Sequence, residues 1–343
     1  MKLKVAILSF YSGHVSRGVE TFVHELQQNL KNSQFKLKIY QSSNIPSSPK
    51  PKKPNILTYL FLDKHSLSIK SFAKKTLNQL KQNPPDILMP LNNGWMSYFA
   101  KKFCQKYPTK LVLPGFAGIS WEDKLNLKLN PDAFVAVAKS RADWAKTINS
   151  KVNIKTINIG VCTDRFKPAG KKYPHGLKTP VILCIAGPQK YKRVNLSIKA
   201  VSRLKNASLL LVGQQPKEIL TLGKKLLGSR FKHIKVDYQD LDPIYRSADV
   251  FTLPSESIEA YGITILEALA SNLPVVVNND PVRQELVGKV GLTINPKNLE
   301  EYAEALKTAL VKDFGNRPRN QALKFSWEKI AQQYKNLWLS LTK

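Results

Sequence analysis

The chain of 343 residues is predicted to fold as two successive parallel α/β domains. Three observations predict this. Short apolar runs alternate with amphipathic stretches of helical period, the alternation restarts once after an irregular segment, and the length suits two cores of about 150 residues each.

The first half opens with Val5-Ala6-Ile7-Leu8, a continuous apolar run of the kind a strand buried on both faces requires. Strands are expected over 4–10, 36–41, 87–90, 110–113, 133–138 and 155–159, with helices over 19–31, 64–82, 96–106 and 141–147. The pattern restarts with strands over 181–186, 208–212, 234–236, 250–253 and 275–278. Helices are expected among them over 194–205, 217–227, 243–247, 263–271 and 299–310. Between the halves, 167–178 holds Pro168, Gly170, Pro174 and Gly176, the punctuation of irregular chain. The tail over 326–341 sets Trp327, Ile330, Ala331, Tyr334, Leu337 and Trp338 at spacings of three and four, a broad apolar stripe with no strand after it. It must pack on something already built. The stretch IPSSPKPKKP over 45–54 reads as an exposed loop. The expected organisation is two Rossmann-like domains.

Composition narrows the function. The opening apolar run is too short for a secretory signal, and no stretch approaches the roughly 18 apolar residues of a membrane span. Cys104, Cys162 and Cys184 are far apart and odd in number, which suggests neither a disulfide framework nor a zinc site and makes a reducing cytoplasm the expected location. Lysine and arginine number 54 against 24 acids, a formal charge of +30. Such a field favours nucleotide phosphates or an anionic membrane surface. The cations are scattered rather than clustered with interleaved aromatics, so a nucleic-acid partner is not expected. The stretch over 64–82 carries Leu67, Phe72, Leu77 and Leu80 among Lys64, Lys70, Lys74, Lys75 and Lys81. It reads as a basic amphipathic helix able to lie on the inner face of the plasma membrane.

The chemistry concentrates in FTLPSESIEAYGITILEALASNLPVVV over 251–277. A buried strand ends at Pro254, a polar loop carries Glu256 and Glu259, and Gly262 opens a helix that holds Glu267. Backbone N–H groups near Ile263 and Thr264 then lie at a helix N-terminus, a natural diphosphate seat. Carboxylates beside such a seat repel phosphate and are suited to accept hydrogen bonds from sugar and ribose hydroxyls. Taken alone, Glu259 reads as a solvated loop residue and Glu267 as a helix-surface acid. A second junction, ILCIAGPQKYKR over 182–193, puts Gly187 after a buried strand, with Lys192 and Arg193 before a helix. There the backbone can approach a ligand and cations can neutralise a departing phosphate. The turn over 9–20 has Gly13 and Gly18 but not GxGxxG spacing, and no P-loop, HExxH, GxSxG or paired CxxC occurs.

The text from Glu256 to Val277 resembles the EX7E signature of the family-four (group 1) retaining glycosyltransferases. Arg17-Gly18-Val19-Glu20, GVCTDRFKP over 160–168, KYKRVNLSIKAV over 190–201, YRSADVFTLPS over 245–255 and FSWEKIAQQY over 325–334 are similar to further family segments in the same order. The resemblance implies a GT-B fold, two Rossmann-like domains facing across a cleft with the last helix crossing back. It implies an N-terminal acceptor-binding domain over 1–170 plus about 325–343, and a nucleotide-sugar domain over 171–324. It also implies metal-independent transfer with retention. By position, Glu259 would hold donor-sugar hydroxyls and Glu267 the ribose. Lys192 would contact the diphosphate, with Gly18, Gly187, Arg193, Tyr261, Gly262, Ile263 and Thr264 completing the donor site. The donor would be UDP-, GDP- or ADP-linked, the acceptor a glycan or lipid-linked sugar of cell-surface polysaccharide or glycolipid synthesis, and no cofactor is expected. Acceptor residues would be His14, Asn93, Trp95, Phe116 and Trp121. The chain departs from the family pattern at Pro188, where an arginine is usual, at Ala260 for glycine, at Cys162 for aspartate, and in lacking a histidine within 111–123. Two alternatives stand beside this reading: a protein of the same fold that binds sugar nucleotides without transfer, and a basic nucleic-acid-binding protein.

Overall fold

The computed structural model describes residues 2–14, 18–31, 34–45 and 56–343. Arg17 and the stretch over 46–54 lie outside the described residues. Two compact units emerge, Met1–Ile159 with Glu328–Lys343, and Gly160–Trp327.

The first unit is a parallel sheet ordered β2-β1-β3-β4-β5-β6. Its strands are β1 (Leu3–Leu8), β2 (Phe35–Tyr40), β3 (Ile87–Pro90), β4 (Lys110–Gly115), β5 (Ala133–Ala136) and β6 (Ile154–Thr156). The second is ordered β12-β11-β10-β7-β8-β9. Its strands are β7 (Val181–Ile185), β8 (Ser208–Val212), β9 (Phe231–Ile234), β10 (Val250–Leu253), β11 (Val275–Asn278) and β12 (Leu292–Ile294). Central strands β3, β5, β7, β8, β10 and β11 are buried throughout, as continuous Val/Ile/Leu runs with helices on both faces require.

In both sheets the strand order reverses once, between β1 and β3 in the first and between β7 and β10 in the second. At such a reversal the loops leaving neighbouring carboxyl ends diverge and open a crevice. Adjacent register at Val250↔Ile182 and Phe251↔Leu183 brings the β7 and β10 loops side by side.

The sequence boundary at 170/171 is corrected to 159/160. Val161 donates to the Phe325 carbonyl (2.9 Å), and Arg319 donates to the carbonyls of Phe166 (3.0 Å) and Thr163 (3.1 Å), so 160–170 belongs with the second unit. The strand expected over 234–236 lies earlier, at Phe231–Ile234. Helices Trp121–Lys128, Pro281–Val287 and Arg317–Ala322, and strand β12, were not anticipated. The terminal helix Trp327–Thr342 lays its stripe on the first unit, Tyr334 against Phe22 and Trp338 against Phe35, both at 5.5 Å between ring centroids.

Candidate functional site

In the second unit, the segment after β7 passes Gly187 into a short 3₁₀ turn, Lys190–Lys192, and Arg193 adopts left-handed φ (50°) to enter the helix Val194–Ser202. A side chain at 187 would meet the end of the Gln189 side chain at 2.5 Å, a flexible group that can swing aside. The loop after β10 meets this turn through its backbone, Glu256 N–H donating to the Tyr191 carbonyl at 2.8 Å. Two ion pairs reinforce that junction. Lys192 Nζ pairs with the Glu259 carboxylate, both largely withdrawn from solvent, and Arg193 Nε lies 3.1 Å from Glu256 Oε1. The two residues expected to work on sugar and phosphate therefore stand in contact.

A third loop holds the second from beneath. Arg283, fully buried on the helix Pro281–Val287, donates from Nη1 to the Glu259 carbonyl (3.0 Å) and from Nη2 to Ser255 Oγ (3.3 Å). Its charge is met by Asp280 at 3.3 Å, which also caps that helix through Val282 and Arg283 N–H. The sequence reading passed over both, although Asp280-Pro281, an N-cap residue followed by proline at the first helical position, signals a helix start.

Gly262, at φ 96°, turns the chain into the helix Ile263–Ala270, whose Ile265 N–H bonds the Gly262 carbonyl (3.0 Å) while the N–H groups of Ile263 and Thr264 precede the first helical carbonyl they could reach. Tyr261 beside it is buried. Glu267 is not the surface acid its position alone suggests: it is 1% exposed and accepts a hydrogen bond from Tyr245 at 2.7 Å. Burial raises its carboxyl above the ordinary glutamate range, while hydrogen bonds from Tyr245 and Tyr238 act the other way. The Tyr245 hydroxyl also lies 3.3 Å from the Thr264 carbonyl, so Tyr245 stands between Glu267 and the first turn of the helix.

In the first unit, four of the five expected acceptor residues converge. Asn93, Trp95, Phe116 and Trp121 line one cavity of about 310 Å³ at the β1/β3 reversal. There the Phe10 N–H donates to Asn92 Oδ1 (2.8 Å), tying the two loops together. Trp95 Nε1 donates to the Phe61 carbonyl at 2.7 Å, and Phe61 lies 5.0 Å from Trp121 between centroids. His14 is not among the lining residues; exposed, it donates from Nε2 to the Ser42 carbonyl at 2.7 Å. Gly18 begins the helix Gly18–Asn29, and its neighbour Val19 reaches the cavity.

The residue missed here is Asp123. Ser120 caps the helix Trp121–Lys128 by accepting from Asp123 N–H (3.1 Å), and the Asp123 carboxylate accepts from Ala117 N–H (3.1 Å). The spacing Ser120-x-x-Asp123 was a legible N-terminal signal. Burial first, and Glu122 second, push the Asp123 carboxyl up to about 8. The folded chain therefore holds this proton where the unfolded chain has lost it. Stability from this group is complete below about pH 4 and is lost as pH rises towards 8, by at most about 1.4 kcal/mol per pH unit. Denaturant melts of wild type and Asp123→Asn between pH 4 and 8 are expected to show wild type losing ground to the variant as pH rises. A constant difference would contradict the assignment.

The helix Lys64–Leu80 corrects the expected membrane face. Leu77 and Leu80 are buried in the core and Phe72 packs against it, because the apolar stripe of this helix is what attaches it to the sheet. Its lysines instead face the helix Trp95–Cys104 across a shallow groove of about 520 Å³ lined by Lys74, Lys75, Lys81, Lys102, Lys106 and Phe99. Lys74 Nζ sits 5.3 Å from the Phe99 ring and Lys102 Nζ 5.9 Å from Tyr98. Among the described residues no helix is long and apolar enough to cross a membrane.

Two parallel α/β units, each with polar loops at the reversal of its sheet, define the GT-B class. Across 99% of both chains the molecule shares the fold of sucrose-phosphate synthase from Thermosynechococcus elongatus, with a TM-score of 0.80 at 18% identity. Residues 167–324, within the second unit, match the family model of glycosyl transferases group 1. Among curated proteins, the chain is 27% identical over 199 residues to sulfoquinovosyl transferase SQD2 of Arabidopsis thaliana, covering 52% of this chain and 38% of that protein. It is 26% identical over 196 residues to the GDP-mannose-dependent alpha-(1-6)-phosphatidylinositol monomannoside mannosyltransferase of Mycobacterium tuberculosis, covering 50% of each. The match thus spans half or less of the length of these relatives.

Proposed function

We propose that the chain is a retaining, metal-independent glycosyltransferase that takes its sugar from a nucleoside diphosphate donor held by the second unit. The observation that carries this reading is the Lys192–Glu259 pair at the β7/β10 reversal, inside the segment that matches the glycosyl transferases group 1 model. The diphosphate rests on the N-terminus of the helix Ile263–Ala270 and on Lys192, while Glu259 accepts hydrogen bonds from sugar hydroxyls. As the anomeric carbon–oxygen bond breaks, its electron pair passes to the diphosphate, and a cation with aligned N–H dipoles is the preorganised stabiliser for that charge. Both cations of this turn are ion-paired, Lys192 with Glu259 and Arg193 with Glu256, and Lys192 is given the cationic role because its partner is the carboxylate assigned to the sugar. Glu267, buried and bonded to Tyr245, acts by holding the helix start that receives the donor. The cavity of the first unit takes the acceptor, a glycan or lipid-linked sugar, in line with the relative whose name specifies phosphatidylinositol monomannoside. A GT-B protein that binds the donor without transfer remains the second reading, favoured by Pro188 and Ala260 beside the donor loops.

The test is a thermal-shift panel with UDP, GDP, ADP and their hexose conjugates in the presence of EDTA. Ligand bound to the folded state raises the midpoint by mass action. One base family is expected to stabilise the chain at millimolar concentration, and Lys192→Ala is expected to abolish the shift. Silence across the panel would count against a donor site. Product formation from the stabilising donor separates transfer from binding alone.

We also propose that the first unit rests on anionic membrane from the cytoplasmic side, the five-lysine groove facing the lipid and the exposed Tyr98, 5.9 Å from Lys102 Nζ, entering the interface. A cation near an anionic surface contributes about 1 kcal/mol, so five lysines suffice for reversible binding that salt removes. Co-sedimentation with phosphatidylglycerol vesicles at low salt is expected to fall at least tenfold in Lys74→Glu/Lys102→Glu. Equal binding to phosphatidylcholine vesicles would remove the electrostatic basis.

A further inference from the structure

We propose that Arg165 is a positioning residue for the donor: with Phe166 it clamps the two tyrosines that hold Glu267, and so fixes the helix start on which the diphosphate rests. The proposal rests on the donor-site reading, to which it adds a residue that touches no part of the donor.

Arg165 and Phe166 lie in GVCTDRFKP over 160–168, which precedes β7 in the chain yet folds onto the 3₁₀ turn Tyr238–Asp240 and the helix Asp242–Tyr245. Phe166 is fully buried and sets its ring edge-on to Tyr245 (5.5 Å between centroids) and to Tyr238 (6.2 Å). The Arg165 guanidinium lies 4.4 Å from the Tyr238 ring centroid and donates to the Tyr238 carbonyl. Its Nε stands 3.6 Å from Asp242, which Arg246 holds in turn at 2.6 Å. Both clamped tyrosines donate to the Glu267 carboxylate. One dipeptide therefore fixes both donors of a buried acid.

A buried carboxylate needs hydrogen bonds and a compensating cation to stay charged. The cation whose charge acts on Glu267 is Arg165. The helices Pro281–Val287 and Arg317–Ala322 also pack on Ile263–Ala270, but their arginines are committed elsewhere. Arg283 serves Asp280 and the Glu259 carbonyl, Arg319 the carbonyls of Phe166 and Thr163, and Arg317 that of Phe314. Glu285 is half-buried on the first of these helices, Asp240 is exposed on the 3₁₀ turn, and the adjoining strands β10 and β11 carry no ionisable side chain. Burial raises the Glu267 carboxyl, while the two tyrosines and Arg165 lower it. Without Arg165, burial is less opposed and Glu267 takes up its proton at higher pH. A neutral carboxyl accepts more weakly than a carboxylate, so the hold on Tyr245 and the helix start loosens. Donor affinity should fall as pH falls, and in the absence of Arg165 the fall should come at higher pH.

The experiment is a calorimetric titration of the full chain with UDP-glucose, GDP-mannose and ADP-glucose between pH 5.5 and 8.5, a range in which the diphosphate ester keeps its charge. With the conjugate that binds wild type, Arg165→Met should lose at least tenfold in affinity at pH 7 and move the midpoint of the profile upward. Arg165→Lys keeps the charge and should keep the wild-type midpoint. Tyr238→Phe keeps the ring against Arg165 and removes the hydroxyl, so it too should move the midpoint upward; this carries the test if Arg165→Met does not fold. Arg319→Met loosens the same segment without facing Glu267, and should lower the melting temperature while leaving the midpoint in place. A wild-type midpoint in both Arg165→Met and Tyr238→Phe overturns the proposal, as does an equal upward shift in Arg319→Met. A wild-type chain that binds none of the three conjugates overturns the donor reading, and the role of Arg165 with it.

Discussion

Lys192→Ala is expected to lower turnover at saturating donor by about 10²–10³-fold, the magnitude typical of removing one preorganised stabiliser of developing charge. The ammonium touches the Glu259 carboxylate, and both are largely shielded. Each substitution therefore has two consequences: the lost group no longer meets the donor, and its partner is left as an uncompensated charge beside the diphosphate seat. Glu259→Gln keeps the shape and hydrogen-bonding capacity and removes the charge, so it should cost less than Glu259→Ala. The double variant Lys192→Ala/Glu259→Gln should lose far less than the product of the single losses, since partners that act as one unit are not additive. Single-turnover rates with saturating donor, beside melting curves of each variant, measure this. Multiplicative losses would mean that the two side chains contribute independently and do not act as one unit.

The resemblance and the apolar pattern made the outline of the molecule legible, and the reasons are physical. Runs such as Val181–Ile185 and Val275–Asn278 are buried on both faces and need no partner to be recognised. Gly262 stands where the chain turns into the helix Ile263–Ala270, and its φ of 96° is one that glycine readily adopts. What escaped were groups whose meaning depends on a neighbour distant in sequence. Glu267 looks like a surface acid until Tyr245, 22 residues away, closes over it. Asp123 looks solvated until the helix Trp121–Lys128 folds it beneath Ala117. Phe61 carried no pattern at all, because its contacts are with Gly94 and Trp95 in another loop. The lysines over 64–81 were read correctly as basic, but the leucines beside them belong to the core. A helical stripe identifies an apolar face without saying whether sheet or lipid covers it.

Arg283→Met is expected to destabilise the second unit by about 3 kcal/mol, the lower end of the cost of leaving one member of a buried ion pair without its partner. The lower end applies because Asp280 keeps the Val282 and Arg283 N–H donors when the guanidinium is gone. Arg283→Lys should not rescue it. One ammonium cannot serve the Glu259 carbonyl, Ser255 Oγ and Asp280 at once, whereas a planar fork with five N–H donors does so from a single position. Adding Asp280→Asn to Arg283→Met should recover part of the loss, since it removes the stranded charge and keeps a capping oxygen at the start of the helix Pro281–Val287. Function should not return with stability. The loop that carries Glu259 still lacks the donor that fixes its carbonyl, so nucleotide-induced stabilisation stays weak in the double variant. Denaturant melts report the first quantity and the nucleotide thermal shift the second. Recovery of both together would mean that Arg283 serves only the core, and recovery of stability alone would identify it as the residue that positions the Glu259 loop.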